Sequence, residues 1–196
     1  MPMKTTLLKR LMGGSVILAS LFGLSACNST GQYTNQYATA RMQQHGVMLD
    51  DAAAHALAAR FAATFDQMGK PEFLGAVDQL YADNLYMNDT LSMAQQKSAL
   101  LDNFKDMNKR IKRAKVDIIN VNASQDSAYI HWKMTFHLKF LGQEKDIASY
   151  GISEIKQNAA GQIIFQHDFW DPANGLYRPL PYAGGLFRWL VPFKVH

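Results

Sequence analysis

The chain has 196 residues, with 20 Lys and Arg against 16 Asp and Glu, and a single cysteine. That length suffices for one globular domain with its own core, and one cysteine excludes an internal disulfide framework. Three of the basic residues, Lys4, Lys9 and Arg10, lie ahead of that cysteine, so the rest of the chain is close to neutral, which excludes a strongly basic nucleic-acid-type surface.

Residues 11–24 form an apolar run behind those three cations, with no acidic residue before Cys27. This is the charge order of a secretory signal. The run is shorter than the roughly 20 apolar residues that a spanning helix needs, and the polar stretch Asn28-Ser29-Thr30-Gly31-Gln32 follows at once. Leu24-Ser25-Ala26-Cys27 resembles the lipobox of bacterial lipoproteins, which implies cleavage after residue 26 and diacylglycerol on Cys27. Two or three acyl chains at one residue hold durably, because each buried methylene contributes about 0.8 kcal/mol. The alternative, plain secretion with cleavage near Ala26, would leave an unpaired thiol in an oxidising compartment. Asn28, where inner-membrane lipoproteins carry aspartate, resembles the pattern sorted to the outer membrane. The expected place is therefore the bacterial cell envelope, with the domain facing the periplasm. The expected division is a signal peptide over 1–26, a lipidated cysteine and polar tether over 27–49, and one domain over 50–196.

Past the tether, Asp50 or Asp51 can cap a helix whose Leu57, Phe61 and Phe65 recur every four residues, and Gly69-Lys70-Pro71 ends it. Pro71 suits the first turn of a second helix with Phe73, Val77, Leu80 and Tyr81 on one face. After a short extended piece over 85–88, Ser92-Met93-Ala94-Gln95 fits a capping box, and Leu100, Phe104, Met107 and Ile111 give a third helix its stripe. The basic tract Lys109-Arg110-Ile111-Lys112-Arg113 closes it, where cations favour the helix dipole. Strands follow over 116–121, 128–140, 145–155 and 162–170, with connections short enough to make neighbours antiparallel. The alternation is clearest in the second of these, where Ile130, Trp132, Met134, Phe136, Leu138 and Phe140 interleave with His131, Lys133, Thr135, His137 and Lys139. Helices first and a curled antiparallel sheet afterwards predict an α+β domain with the apolar concave face against the helices.

Gln166-His167-Asp168-Phe169-Trp170-Asp171, Leu176-Tyr177, Leu180-Pro181 and Phe187-Arg188-Trp189-Leu190 resemble the end of the SnoaL-like branch of the nuclear transport factor 2 superfamily, and the resemblance spans roughly 52–193. It implies a cone-shaped domain with three N-terminal helices packed on a curved antiparallel sheet. Polyketide cyclases, ketosteroid isomerases and dehydratases share that fold with many proteins that only bind or dimerise, so the fold does not deliver a function.

The resemblance also places candidate site residues. The segment from Tyr81 through Asp89 is similar to the one in which ketosteroid isomerases keep their catalytic carboxylate, at the position of Asp89. A turn-capping aspartate, beside Thr90 and Ser92, is the competing reading. Where those isomerases place oxyanion-hole donors, this chain has Phe61 or Phe65 and Ser153. On the last strand the pattern turns Gln166, Asp168 and Trp170 toward the pocket, making Asp168 the first candidate for acid–base work. Ser153, Gln166 and Trp170, together with Trp132, Met134, Phe136 and Leu138 of the long alternating strand, are the expected pocket-lining residues. Trp132 and Trp170 are also candidates for plain core.

His131 and His137 share a strand face but stand about 20 Å apart at ~3.3 Å per residue, too far to share a metal ion. The chain has no H-E-x-x-H, no G-x-S-x-G and no phosphate-cradling glycine loop, so neither a metal nor a cofactor is expected. The expected partners are the membrane through Cys27, a small apolar ligand and a second copy of the chain, and not nucleic acid. Residues 177–193 carry Leu180, Leu186, Phe187, Trp189, Leu190 and Phe193, apolar surface that has to cover either the domain itself or the membrane interface. Two functions fit these residues. One is a binding or dimerising module at the membrane; the other is a cofactor-free isomerase, cyclase or dehydratase acting on a polyketide-, steroid- or lipid-like substrate. One acid without a partner or an oxyanion donor favours the first.

Overall fold

The computed structural model describes residues 27–140 and 143–177, in two units divided after Gln43. The signal segment and the apolar tail beyond Tyr177 lie outside the described residues. In the first unit the polar stretch expected as an irregular tether is a helix, α1 (Cys27–Gln43). Its C-terminal half, Ala38-Thr39-Ala40-Arg41-Met42-Gln43, contains good helix formers and ends with a cation in the last turn. Among the described residues no helix is long and apolar enough to cross a membrane.

The second unit begins as the sequence predicts. Asp50 caps α2 (Asp51–Phe65) by accepting from the Ala53 amide at 2.7 Å. Leu57, Phe61 and Phe65 are buried on the same helix. Gly69 ends this stretch at φ +93, a left-handed conformation that also brings its backbone against Lys112, where a Cβ would not fit. Helix α3 (Phe73–Leu80) then buries Phe73, Val77 and Leu80.

Here the structure departs from the helices-then-strands order. Tyr81 is not on the face of α3 but opens strand β1 (Tyr81–Asn88), and a short partner, β2 (Met93–Gln96), pairs antiparallel with it. The expected capping box is thus a strand. The Ser92 hydroxyl and amide are both drawn to the Asp89 carboxylate, so Ser92 closes a turn and caps no helix. Helix α4 (Lys97–Asn108) starts later, from Gln96, with no side-chain cap. Ile111, expected on the helix stripe, opens β3 (Ile111–Ser124), followed by β4 (Ser127–Phe140), β5 (Gln143–Gln157) and β6 (Ile163–Trp170).

The sheet order is β2-β1-β6-β5-β4-β3. The pairs from β3 through β6 are antiparallel, as their short connections require. However, β1 lies parallel to β6, so the sheet is mixed rather than antiparallel throughout. Helices α2 and α3 precede the sheet, but α4 enters after two strands. The core lies between the helices and one face of the sheet. Phe65 meets Phe73 and Phe104 with ring centroids 6.0 and 5.7 Å apart, and Val116, Ile130 and Ile155 come up from the strands. A π-turn, Ala173–Tyr177, follows β6 and folds Gly175 against Ser149 and Trp170.

Candidate functional site

Strand parity builds the site. On β4, Trp132, Met134, Phe136 and Leu138 point one way, and on β6 Asp168 and Trp170 point the same way. Between them lies a cavity of about 420 Å³, also walled by Asp89, Leu91, Met107, Ile111, Ile147 and Leu176. That size is within the range of small-molecule sites, roughly 300–1,000 Å³.

Asp168 stands where this apolar wall meets a chain of buried polar groups. Its Oδ1 accepts from the Ser153 hydroxyl at 2.7 Å and from Gln166 Nε2 at 2.9 Å, and Oδ2 accepts from the same amide nitrogen at 3.1 Å. The polarity of the chain follows from its ends. An indole N–H can only donate, and Trp132 Nε1 donates to Ser153 Oγ at 2.8 Å, so the serine proton goes to Asp168. At the other end the Tyr81 hydroxyl donates to Gln166 Oε1 at 2.6 Å, which leaves the amide nitrogen for Asp168. Ser153 and Gln166 are fully buried and Asp168 is only 7 % exposed. Burial pushes the Asp168 carboxyl up from the ordinary 3.8 to about 7; the Ser153 and Gln166 hydrogen bonds oppose that rise, and the negative charge of Asp89 adds to it. Burial, with Asp168 and then Asp89 nearby, drives the Tyr81 hydroxyl well above its usual range, so it stays a neutral donor.

Asp89 reaches the cavity from the turn between β1 and β2. Its Oδ1 accepts from the amides of Leu91 at 2.9 Å and Ser92 at 2.6 Å, and the Ser92 hydroxyl bonds both oxygens. Burial raises its pKa against those hydrogen bonds. Thr90, in the same turn, has φ 75 and ties the turn to β6 through Oγ1 on the Asp168 carbonyl. Trp170 ties it again through Nε1 on the Asp89 carbonyl at 2.8 Å.

Among the residues singled out from sequence, Asp168, Asp89, Trp132, Met134, Phe136, Leu138 and Trp170 all line the cavity. Ser153 and Gln166 stand behind the wall as the partners of Asp168. Phe61 is packed against Phe65 in the core and offers the cavity nothing. Tyr81 was missed because its position continues the apolar stripe of α3. Ile147 and Ser149 were also missed, although they share the parity of Ser153 on β5. His167 and Phe169, of the opposite parity on β6, lie against each other with ring centroids 4.6 Å apart and planes inclined at 53°. His137 is held between Asp146 and Glu144 at 2.8 and 3.3 Å. Among the described residues no three His, Cys, Asp or Glu side chains converge as a metal site.

No family model and no curated protein matches the sequence. Solved structures match the fold. A Catenulispora acidiphila protein with a ketosteroid isomerase-like fold, in complex with trimethylamine, superposes with a TM-score of 0.56 at 16% identity, over 65% of this chain and 95% of that one. A candidate SnoaL-like polyketide cyclase from Shewanella denitrificans gives 0.55 at 11% identity, over 62% and 92%. An epoxide hydrolase of the LEH-like type from M. tuberculosis gives 0.53 at 16% identity, over 72% and 98%. At these identities the likeness is one of fold. The α+β unit with its mixed sheet shares its fold with these solved structures, which are described as SnoaL-like, NTF2-like or ketosteroid isomerase-like.

Proposed function

We propose that this domain binds a small apolar molecule in the cavity and moves a proton on it with Asp168, without a cofactor, as in an isomerisation, cyclisation or dehydration. The observation that carries this reading is the buried Asp168 carboxyl on an apolar cavity wall, raised to about 7 by burial. At that value the group is divided between acid and base near neutral pH, which suits it both to take and to return a proton. Ser153 and Gln166 fix the carboxyl, and Tyr81 and Trp132 fix those two residues in turn, so proton transfer would need little reorganisation. Asp89 serves chiefly as the closure of its turn, because backbone amides already fill one of its oxygens.

Carbon-13 NMR of the Asp168 carboxyl, assigned by its loss in Asp168→Asn, tests the reading. A midpoint near 7 is expected; a midpoint in the ordinary carboxylate range overturns it. The second reading, binding without chemistry, draws on the fact that Ser153 and Gln166 already supply hydrogen bonds to Asp168. In that case ligand would bind equally to wild type and Asp168→Asn, and no turnover would depend on the carboxyl.

We further propose that lipid on Cys27 holds the domain at the bacterial envelope, supported by the lipobox-like Leu24-Ser25-Ala26-Cys27 behind a signal-type segment. Cys27→Ser is expected to leave the protein in the soluble or precursor fraction. Retention on membranes through a high-salt wash overturns the assignment.

A further inference from the structure

The cavity has two chemically different ends. Its inner end holds Asp168 beside Trp132, together with Asp89. Its outer end lies where Ile111 pairs with Leu138 at the start of β3, and there Arg110 reaches the lining, with Asp106 from α4 beside it. From Trp132 to Leu138 along β4 is about 20 Å at ~3.3 Å per residue, so the wall between the two ends is long as well as apolar.

The charges at the outer end are sorted. Asp106 is held by Lys109 at 2.8 Å, Glu144 by Lys112, and Asp146 by His137 at 2.8 Å with Arg113 at 3.8 Å. The Arg110 guanidinium makes no ion pair among the described residues, although it lines the cavity. An anion is repelled from the inner end by the two carboxyls and attracted at the outer end by a planar cation suited to paired hydrogen bonds with a carboxylate.

We propose that the cavity takes an extended carboxylate amphiphile, its head on Arg110 and its apolar chain along Met107, Ile111, Met134, Phe136 and Leu138. The chain then runs inward and brings a carbon remote from the head to Asp168. Arg110 is thus a specificity residue: it sets which end of the molecule enters. The inference rests on the reading of the cavity as the ligand site, and not on whether Asp168 transfers a proton.

The test is calorimetric titration of the full chain carrying Cys27→Ser with dodecanoate and with 1-dodecanol, at pH 8. Dodecanoate is expected to bind more tightly than the alcohol. Arg110→Gln should weaken dodecanoate about tenfold, as for loss of one charge-assisted contact, and leave the alcohol unchanged. Arg110→Lys should recover part of that loss. Equal binding of the two probes, no binding of either, or an Arg110→Gln effect shared by both overturns the proposal. Titrating Asp168→Asn in parallel separates the two readings: dodecanoate binding that survives in this variant leaves the assignment of Arg110 standing, while the NMR midpoint decides the role of Asp168 by itself.

Discussion

Asp168 at the end of β6 and Asp89 in the β1–β2 turn look into the same cavity and are both pushed up by burial, yet they are held by different means. Asp168 is held by two side chains, Ser153 and Gln166, each fixed by a further side chain. Asp89 is held mainly by backbone amides and by the neighbouring Ser92. Backbone donors come with the turn and favour the anion, so they make a carboxylate structural. Burial is the largest influence on both carboxyls; at Asp89 the backbone amides and Ser92 oppose it, whereas at Asp168 only two side chains do, and there the carboxyl is raised to about 7 and can exchange a proton near neutral pH.

The contrast can be broken from the side of the cage first. Trp132→Ala removes a buried indole that fills the space over Gly151, where an added methyl would overlap it. The expected cost is about 3–5 kcal/mol in urea unfolding, as for other large aromatic truncations. A loss near 1 kcal/mol would mean that the indole is a wall of the site and not part of the core.

The pH dependence is next in size. A carboxyl whose folded-state pKa is raised from 3.8 to about 7 keeps its proton in the folded chain after the unfolded chain has lost it. Stability therefore falls as pH rises from about 4 to about 7, by up to roughly 4 kcal/mol, and levels off above that. Asp168→Asn should flatten most of this slope, measured by urea unfolding at several pH values; Asp89, shifted in the same direction, accounts for what remains. An unchanged slope in Asp168→Asn would place the titration elsewhere.

Smaller and opposite effects separate the two carboxyls. Ser153→Ala removes a donor to the anion and leaves the Trp132 N–H without its partner. The Asp168 midpoint should rise above 7, with about 1–3 kcal/mol of stability lost. Asp89→Asn keeps an oxygen for the Leu91 and Ser92 amides but removes a charge, so the Asp168 midpoint should fall slightly while stability changes by less than about 1 kcal/mol. NMR titration of both variants reads the two signs; shifts in the same direction would mean that the cage and the neighbouring charge do not act as described.

Much of this was legible in the residues themselves. Alternation along β4 put Trp132, Met134, Phe136 and Leu138 on one face, the Asp50 cap and the phenylalanine spacing located α2, and the short connections made β3 through β6 antiparallel. Two of the misreadings share one cause. Tyr81 and Ile111 each continue a helical stripe in sequence, and each begins a strand in the structure, because an apolar residue at a helix boundary fits either period. The Ser92 hydroxyl had two possible uses, a helix cap or the Asp89 turn, and only the pairing of β2 with β1 selects the second.

The sequence by itself determined which faces are apolar, where α2 starts and which strands reverse onto one another, since these depend on residues a few positions apart. Tertiary structure decided that β1 runs parallel to β6, and with that the site. Tyr81 meets Gln166 across 85 positions, Thr90 meets Asp168 across 78 and Trp170 meets Asp89 across 81. No local period encodes such meetings. They exist because a long-range strand pairing buries these groups together, and a buried hydrogen-bonding group needs a partner wherever the chain can bring one.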